Sequence, residues 1–189
     1  MKKYTLDNDS WIIQDNIIDI SYNLEELWNL HPIEKGKIKI YGKLISTPRW
    51  TQNYCNKYWY TGIMHNSVPL PDLFKPFHLW VNSLGYGEFN QVLINWYENG
   101  ADYIGAHTDN EYQIIKESPI ISISLGAERI FRIRDIKNKE IILNIPIPDK
   151  SYLIMGGKIQ QFYTHEVPKT VAHKSGQRIN ITFRMLNII

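Results

Sequence analysis

The sequence predicts a mainly β fold with flanking helices, a β-sandwich or jelly roll, and three observations carry that reading. From residue 90 onward, short runs of strand-forming residues are separated by turn signals at close spacing. Several runs alternate apolar and polar residues with period two, as in PIISISLG (119–126) and RINITFR (178–184). Helical spacing is confined to the first 89 residues, which argues against the strand–helix alternation of a parallel α/β sheet.

Taken in order, YNLEELWNL (22–30) reads as a short helix with Leu24, Leu27, Trp28 and Leu30 on its apolar side. Residues 37–45 set Ile38, Ile40 and Leu44 against lysines, with Gly42 interrupting, and read as a hairpin or bent strand. VPLP (68–71) is extended, and DLFKPFHLWVNSL (72–84) is helical with Pro76 early. QVLINWY (91–97) is a strand closed by the turn ENGAD (98–102). After PIISISLG, strands follow at RIFRIR (129–134), EIILNI (140–145), YLIM (152–155), QQFYTHEV (160–167) and RINITFRML (178–186). There is no repeat, low-complexity tract or long linker, and a chain of 189 residues suits one domain.

Composition narrows the function classes. Apolar residues make up 43% and charged residues 21%, ordinary values for a soluble globular protein. The lone Cys55 precludes an intramolecular disulfide and fits a reducing compartment or the interior of a virus or cell. No apolar run is long enough to span a membrane, and MKKYTLDNDSW lacks the apolar stretch of a signal peptide. A net charge of +2 does not mark the whole chain as a nucleic-acid binder. Its distribution is uneven: residues 1–30 carry −4, while residues 31–60 carry +5 with Tyr41, Trp50, Tyr54, Tyr58, Trp59 and Tyr60 interleaved. That pattern can grip phosphates and stack bases. It equally describes a solvated, lysine-rich edge that discourages aggregation.

The chemistry-bearing residues come later. In a strand, His107 and Asp109 of IGAHTDNEY (104–112) would aim to the same face. A non-haem iron centre needs a second histidine and open coordination positions. His165 in QQFYTHEV and His173 in VAHKSGQ are the candidates, and the strand-like setting favours His165. By itself, His-x-Asp with a distant histidine also describes a histidine satisfied by its surroundings. In RINITFR, Arg178, Asn180, Thr182 and Arg184 share one face. If buried, two arginines need an anionic partner, and two guanidiniums suit a dicarboxylate. The alternative is an exposed polar face or pairing with protein acids. Asn95 and Tyr97 also share a face and can donate hydrogen bonds.

With these segments side by side, the chain resembles the AlkB-family 2-oxoglutarate, Fe(II)-dependent nucleic-acid dioxygenases, most of all the nuclear DNA-repair branch of animals. The resemblance covers roughly residues 38–186 and rests on LINWYENGADYIGAHTDNE, SPIISISLGAERIF, His165 and RINITFR. It implies a double-stranded β-helix (jelly-roll) core over residues 90–189 and an N-terminal extension with a nucleotide-recognition lid over residues 1–89, within a single domain 1–189. It implies that His107, Asp109 and His165 hold Fe(II). Asn95 and Arg184 would hold the C1 end of 2-oxoglutarate, and Tyr97 and Arg178 its C5 carboxylate. Asn180 and Thr182 lie on the same co-substrate strand.

The resemblance also assigns the substrate side. Tyr58, Trp59 and Tyr60 match the base-pocket segment, with Tyr60 stacking opposite His107. Asn110 and Glu111 match substrate-contacting positions. Ile40-Tyr41-Gly42-Lys43 matches the hairpin that fills the gap left by a flipped base. The implied reaction uses O2 as co-substrate and removes N-methyl groups from 1-methyladenine and 3-methylcytosine, releasing formaldehyde, as direct DNA repair. Such lesions cannot form a normal base pair, so they leave a duplex at lower cost. RNA is the alternative substrate, and a protein or small-molecule hydroxylase the alternative class. A monomer acting on methylated nucleic acid is expected, with no membrane partner, inside the cell and in the nucleus if the source is eukaryotic.

Overall fold

The computed structural model describes residues 1–187 apart from Ile18, Tyr41, Thr61 and Gly62, and gives the backbone alone for Lys39, Ile40, Tyr58, Trp59, Tyr60, Ile63 and His65. The first half contains β1 (Lys2–Thr5), β2 (Ser10–Asn16), α1 (Leu24–Trp28), β3 (Lys37–Ile40), β4 (Lys43–Ser46), β5 (Trp50–Tyr54), β6 (Tyr58–Tyr60), β7 (Ile63–His65) and α2 (Lys75–Ser83). The second half contains β8 (Gln91–Tyr97), β9 (Ile104–His107), β10 (Ile120–Gly126), β11 (Arg129–Asp135), β12 (Ile141–Ile147), β13 (Ser151–Gly157), α3 (Ile159–Phe162), β14 (Tyr163–Val167) and β15 (Arg178–Arg184). Seven strands form the larger sheet in the order β1-β2-β13-β10-β15-β8-β5, and four form the smaller one in the order β12-β11-β14-β9. The four central strands β13, β10, β15 and β8 pair antiparallel, as do the four of the smaller sheet, and together they make the double-stranded β-helix.

Period-two alternation decides where the core sits. On the larger sheet, Val92, Ile94, Trp96, Ile121, Ile123, Leu125, Ile179, Ile181 and Phe183 join one apolar cluster with Leu27, Trp28, Phe74, Phe77 and Val81 of the helical segments. The alternate residues of the same strands face the smaller sheet, and there the interior divides. Toward β2 and β13 it is apolar: Ile12, Ile120, Leu153 and Met155 pack on Phe131, Ile133, Ile145 and Ile147. Toward β15, β8 and β5 it is polar, with Asn53, Asn95, Ser122, Ser124, Arg178, Asn180, Thr182 and Arg184 all buried. Burying one large apolar side chain contributes about 1.5–3 kcal/mol, so the two apolar clusters can carry a polar interior that would not assemble alone.

The helices follow their local chemistry. Asn23 caps α1 by accepting from the backbone N–H groups of Glu25 and Glu26 at 3.0 and 3.4 Å, and those acids favour the positive end of the helix. The α2 helix has Pro76 in its first turn, where no intrahelical donor is missed, and buries Phe77 and Val81.

One strand expectation changes, and two points of pairing stand beside it. QQFYTHEV is not one strand: Gly157, at φ +68°, turns the chain out of β13, residues 159–162 form the single turn α3, and β14 begins at Tyr163. Residues 178–184 are not an exposed edge, because β15 lies between β10 and β8 and all seven residues are buried. Residues 1–89 also supply β1, β2 and β5 to the larger sheet, so the sheet runs across residues 89 and 90. The β2 strand docks closely on β13: a Cβ on Gly156 would lie 2.1 Å from the Trp11 ring.

Candidate active site

The smaller sheet brings two histidines face to face. His107 ends β9 and His165 lies in β14, and the two are direct cross-strand partners with ring centroids 4.3 Å apart. Asp109 lies beyond the end of β9, so it does not share a strand face with His107 as the spacing predicted. It converges all the same, because Arg184 donates from Nη2 to Asp109 Oδ1 at 2.9 Å and the Asp109 backbone N–H donates to Gln160 Oε1, also at 2.9 Å. His107 Nε2 is then 3.9 Å from Oδ1, and His165 Nε2 is 3.8 Å from Oδ2. One ligand atom from each of the three residues lies within 4.8 Å of the others, the one such group among the described residues. His173 lies outside it, exposed in a 3₁₀ turn.

This cluster fits a divalent metal ion on its own chemistry. His107 Nδ1 is 2.8 Å from the Gly105 carbonyl, which can only accept, so Nδ1 carries the proton and Nε2 keeps its lone pair. Asp109 Oδ2 is buried without a hydrogen-bond partner. Burial alone would raise the Asp109 carboxyl, but Arg184 and the two imidazoles overcome it and hold it at about 2. Burial also lowers His107. The three residues thus present two neutral imidazoles and a carboxylate at neutral pH, a two-nitrogen, one-oxygen set with open positions, as for non-haem Fe(II).

His165 carries a pH consequence for the metal-free protein. Burial, and then His107, pulls its imidazole down to about 3, with Asp109 opposing. An unfolded histidine titrates near 6.5. Between those values the unfolded chain binds a proton that the folded chain refuses, so stability rises with pH through the window. We expect metal-free protein to lose on the order of 1 kcal/mol per pH unit as pH falls from about 6.5 to 5, above the range where most carboxylates titrate. Urea unfolding in chelator at several pH values checks this. His165→Leu should flatten the slope, and a wild-type profile already flat across the window contradicts the assignment.

Beside the cluster lies the polar half of the inter-sheet space. One cavity is lined by His107, Asp109 and His165 and by all six residues expected on the co-substrate side, Asn95, Tyr97, Arg178, Asn180, Thr182 and Arg184. Arg178 donates to Ser124 Oγ at 2.8 Å, while its Nε and Nη1 are buried with no hydrogen-bond partner. Its guanidinium lies 5.0 Å from the Tyr97 ring centre. Asn180 donates to Ser122 Oγ and the Ile123 carbonyl and accepts from Thr182 Oγ1, so this pair forms a rigid, internally satisfied wall. Asn95 Oδ1 accepts from Arg49 Nε at 2.8 Å. The lining includes Arg49, Arg178 and Arg184 but only Asp109 as an acid. That excess of buried positive charge calls for an anionic ligand, and a bound divalent metal deepens the need.

The expected substrate residues are dispersed by comparison. Asn110 and Glu111 line a neighbouring groove rather than this cavity. Gly42, at φ +79°, and the exposed Lys43 belong to the β3–β4 hairpin, whose Ile38 reaches the cavity wall. Tyr41 lies outside the described residues. Tyr58, Trp59 and Tyr60 form β6, paired with β7, and their side chains lie outside the described part. Sequence reasoning missed Arg49 and Gln160 as site residues. Arg49 carries a faint signal as the single arginine among the lysines of residues 31–60. Gln160 carries none, because its partner is 51 residues away.

Residues 23–184 match the model of the 2OG-Fe(II) oxygenase superfamily. The chain is 30% identical to the human protein "DNA oxidative demethylase ALKBH2" over 164 residues, which cover 80% of this chain and 61% of that one. The mouse counterpart is also 30% identical, with 80% and 67% covered. Human "Alpha-ketoglutarate-dependent dioxygenase alkB homolog 3" is 35% identical over 51% of this chain and 36% of its own length. The match thus spans about three fifths of the human ALKBH2 length. The solved structure of OsALKBH1 superposes with a TM-score of 0.53 at 18% identity over 80% of each chain, a likeness of fold.

Proposed function

Because this chain belongs to the 2OG-Fe(II) oxygenase superfamily, in its AlkB branch, we propose that it is an oxidative demethylase of N-methylated bases in nucleic acid, with DNA favoured over RNA. The observation that carries the chemistry is the His107–Asp109–His165 cluster sharing one cavity with the Nε and Nη1 donors of Arg178, which lack a hydrogen-bond partner. A metal site and a carboxylate site side by side fit an enzyme that binds both together. The substrate class draws on the names of the ALKBH2 relatives and on the lysine-bearing hairpin whose Ile38 lines the same cavity.

In this reading His107, Asp109 and His165 hold Fe(II), which with 2-oxoglutarate and O2 supplies the oxidising power that hydroxylates an N-methyl group. Arg178, with the Tyr97 ring against it, takes one carboxylate of the co-substrate. Asn95 and Arg184 flank its other end. Arg184 also keeps the Asp109 carboxylate ionised and turned toward the imidazoles. Ile104, Phe131 and Val167 add an apolar wall that limits water near the reacting centre. Lys43 and its neighbours would meet phosphates, while Tyr58, Tyr60, Asn110 and Glu111 would receive the base, 1-methyladenine or 3-methylcytosine. The hydroxymethyl product then breaks its N–CH2 bond without a further reactant: the hydroxyl loses its proton, the carbon leaves as formaldehyde and the electron pair returns to the base nitrogen. The working unit is a monomer.

The test offers oligonucleotides carrying either lesion as single-stranded DNA, duplex DNA and RNA, with Fe(II) and 2-oxoglutarate, at two salt concentrations. Mass spectrometry should show methyl loss, faster on DNA and weaker at the higher salt. Faster loss from RNA would reverse the substrate preference. No methyl loss from any of them, with Fe(II) bound, would remove the demethylase reading.

A further inference from the structure

The Asp109 main chain has no regular structure to hold it. β9 ends at His107, and residues 108–111 form neither strand nor helix. Arg184 grips the carboxylate, but a guanidinium on a flexible carboxylate does not fix the backbone behind it. Among the hydrogen bonds of the described residues, the one that holds the Asp109 N–H ends on Gln160 Oε1, at 2.9 Å.

Gln160 is well placed for the task. It sits in α3, five positions before His165, on the segment that leads into that ligand's strand. Its neighbour Ile159 is buried in the inter-sheet cluster with Met155, and Gln160 Nε2 lies 3.7 Å from Met155 Sδ. One face of the amide is thus seated against the core while the other accepts from Asp109. A ligand loop from one strand is tied to the segment that delivers the opposing ligand.

We propose that Gln160 is a positioning residue of the metal centre: through its amide oxygen it fixes the Asp109 backbone so that the carboxylate faces both imidazoles. Groups that orient metal ligands from behind commonly change affinity about 10–100-fold when removed. The inference rests on the metal-centre reading. Gln161, next along α3, provides an internal comparison: it ties the same loop at Glu117, with Nε2 3.2 Å from Oε1, away from the ligands.

The experiment titrates metal-free full-length protein with Mn(II), following free Mn(II) by electron paramagnetic resonance, alongside thermal unfolding without metal. Gln160→Met keeps the shape and loses the acceptor, and should weaken Mn(II) binding by about 10–100-fold. Gln160→Glu keeps an acceptor and should bind at least as well as wild type. Gln161→Met should bind as wild type. The proposal is overturned if Gln160→Met binds normally, if Gln160→Glu is as weak as Gln160→Met, or if Gln161→Met loses as much. Wild-type protein that folds but binds no Mn(II) would instead remove the metal-centre reading beneath it.

Discussion

Asp109→Ala should abolish the proposed demethylation and, unlike loss of a histidine ligand, should also weaken the metal-free fold by about 3 kcal/mol. The first effect follows from losing the anionic member of the ligand set. The second follows from Arg184. Its guanidinium is buried in the larger sheet and donates to Asp109 Oδ1 at 2.9 Å, with Gln91 Oε1 a neutral acceptor at 3.2 Å. Removing Asp109 leaves a buried cation without its carboxylate, which commonly costs about 3–5 kcal/mol. The direction of the Asp109 shift agrees. A carboxyl held at about 2 contributes stability that is present above its unfolded value of 3.8 and is lost as pH falls through about 2. His107→Ala should silence the enzyme as fully while costing about 1 kcal/mol, since it removes one bond to the Gly105 carbonyl from a partly exposed ring. Single-turnover assays and urea unfolding of chelated protein separate the two outcomes. Equal stability of the two variants would show that Arg184 does not depend on Asp109.

The contrast between these ligands marks what a sequence makes legible here. The arginine-bearing face of residues 178–184 can be read from alternation, and so can Ser122 and Ser124, because period two is a local property of a strand. What alternation cannot reveal is whether such a face is solvated. That depends on β15 lying between β10 and β8, which is decided by pairing over long stretches of chain. The β5 strand shows the same limit from the other side. Trp-Thr-Gln-Asn-Tyr holds three strand formers but no apolar alternation to say which face is inside, and it is pairing with β8 that turns Thr51 and Asn53 toward the cavity. Asp109 reaches the two imidazoles by a route that spacing does not show: the strand stops two residues short, and a tertiary hydrogen bond replaces strand geometry. Arg49 stands among the lysines of residues 31–60 in sequence yet is 5% exposed, because the carbonyl of Tyr103 and the amide of Asn95 that its guanidinium meets lie about fifty positions away.

Arg178→Met should have effects of opposite sign on binding and on stability, a combination that distinguishes a ligand anchor from a structural arginine. Arg178 is 1% exposed, and two of its donor nitrogens have no hydrogen-bond partner. Burial lowers its guanidinium to about 10, with Tyr97 opposing and Arg129 adding to the shift. A cation whose value falls on folding penalises the fold at every pH below that value, neutral pH included. The penalty is roughly 3 kcal/mol at about 1.4 kcal/mol per unit. Methionine fills similar space without the charge, although it leaves the Ser124 hydroxyl short of a partner, so a net gain of about 1 kcal/mol is expected for the ligand-free chain. Binding should move the other way. Loss of a buried charge-assisted contact costs about 2–5 kcal/mol, equivalent to a rise of roughly 30-fold to several thousand-fold in KM for 2-oxoglutarate. Arg178→Lys should retain part of the affinity, since it keeps the charge and loses the planar fork. Thermal unfolding with and without Mn(II) and 2-oxoglutarate supplies the second readout. The co-substrate should raise Tm in wild type and leave it unchanged in Arg178→Met. A methionine variant that is less stable without ligand yet still binds 2-oxoglutarate normally would make Arg178 a structural residue. The dicarboxylate would then have to be held from the Arg49 and Arg184 side of the cavity.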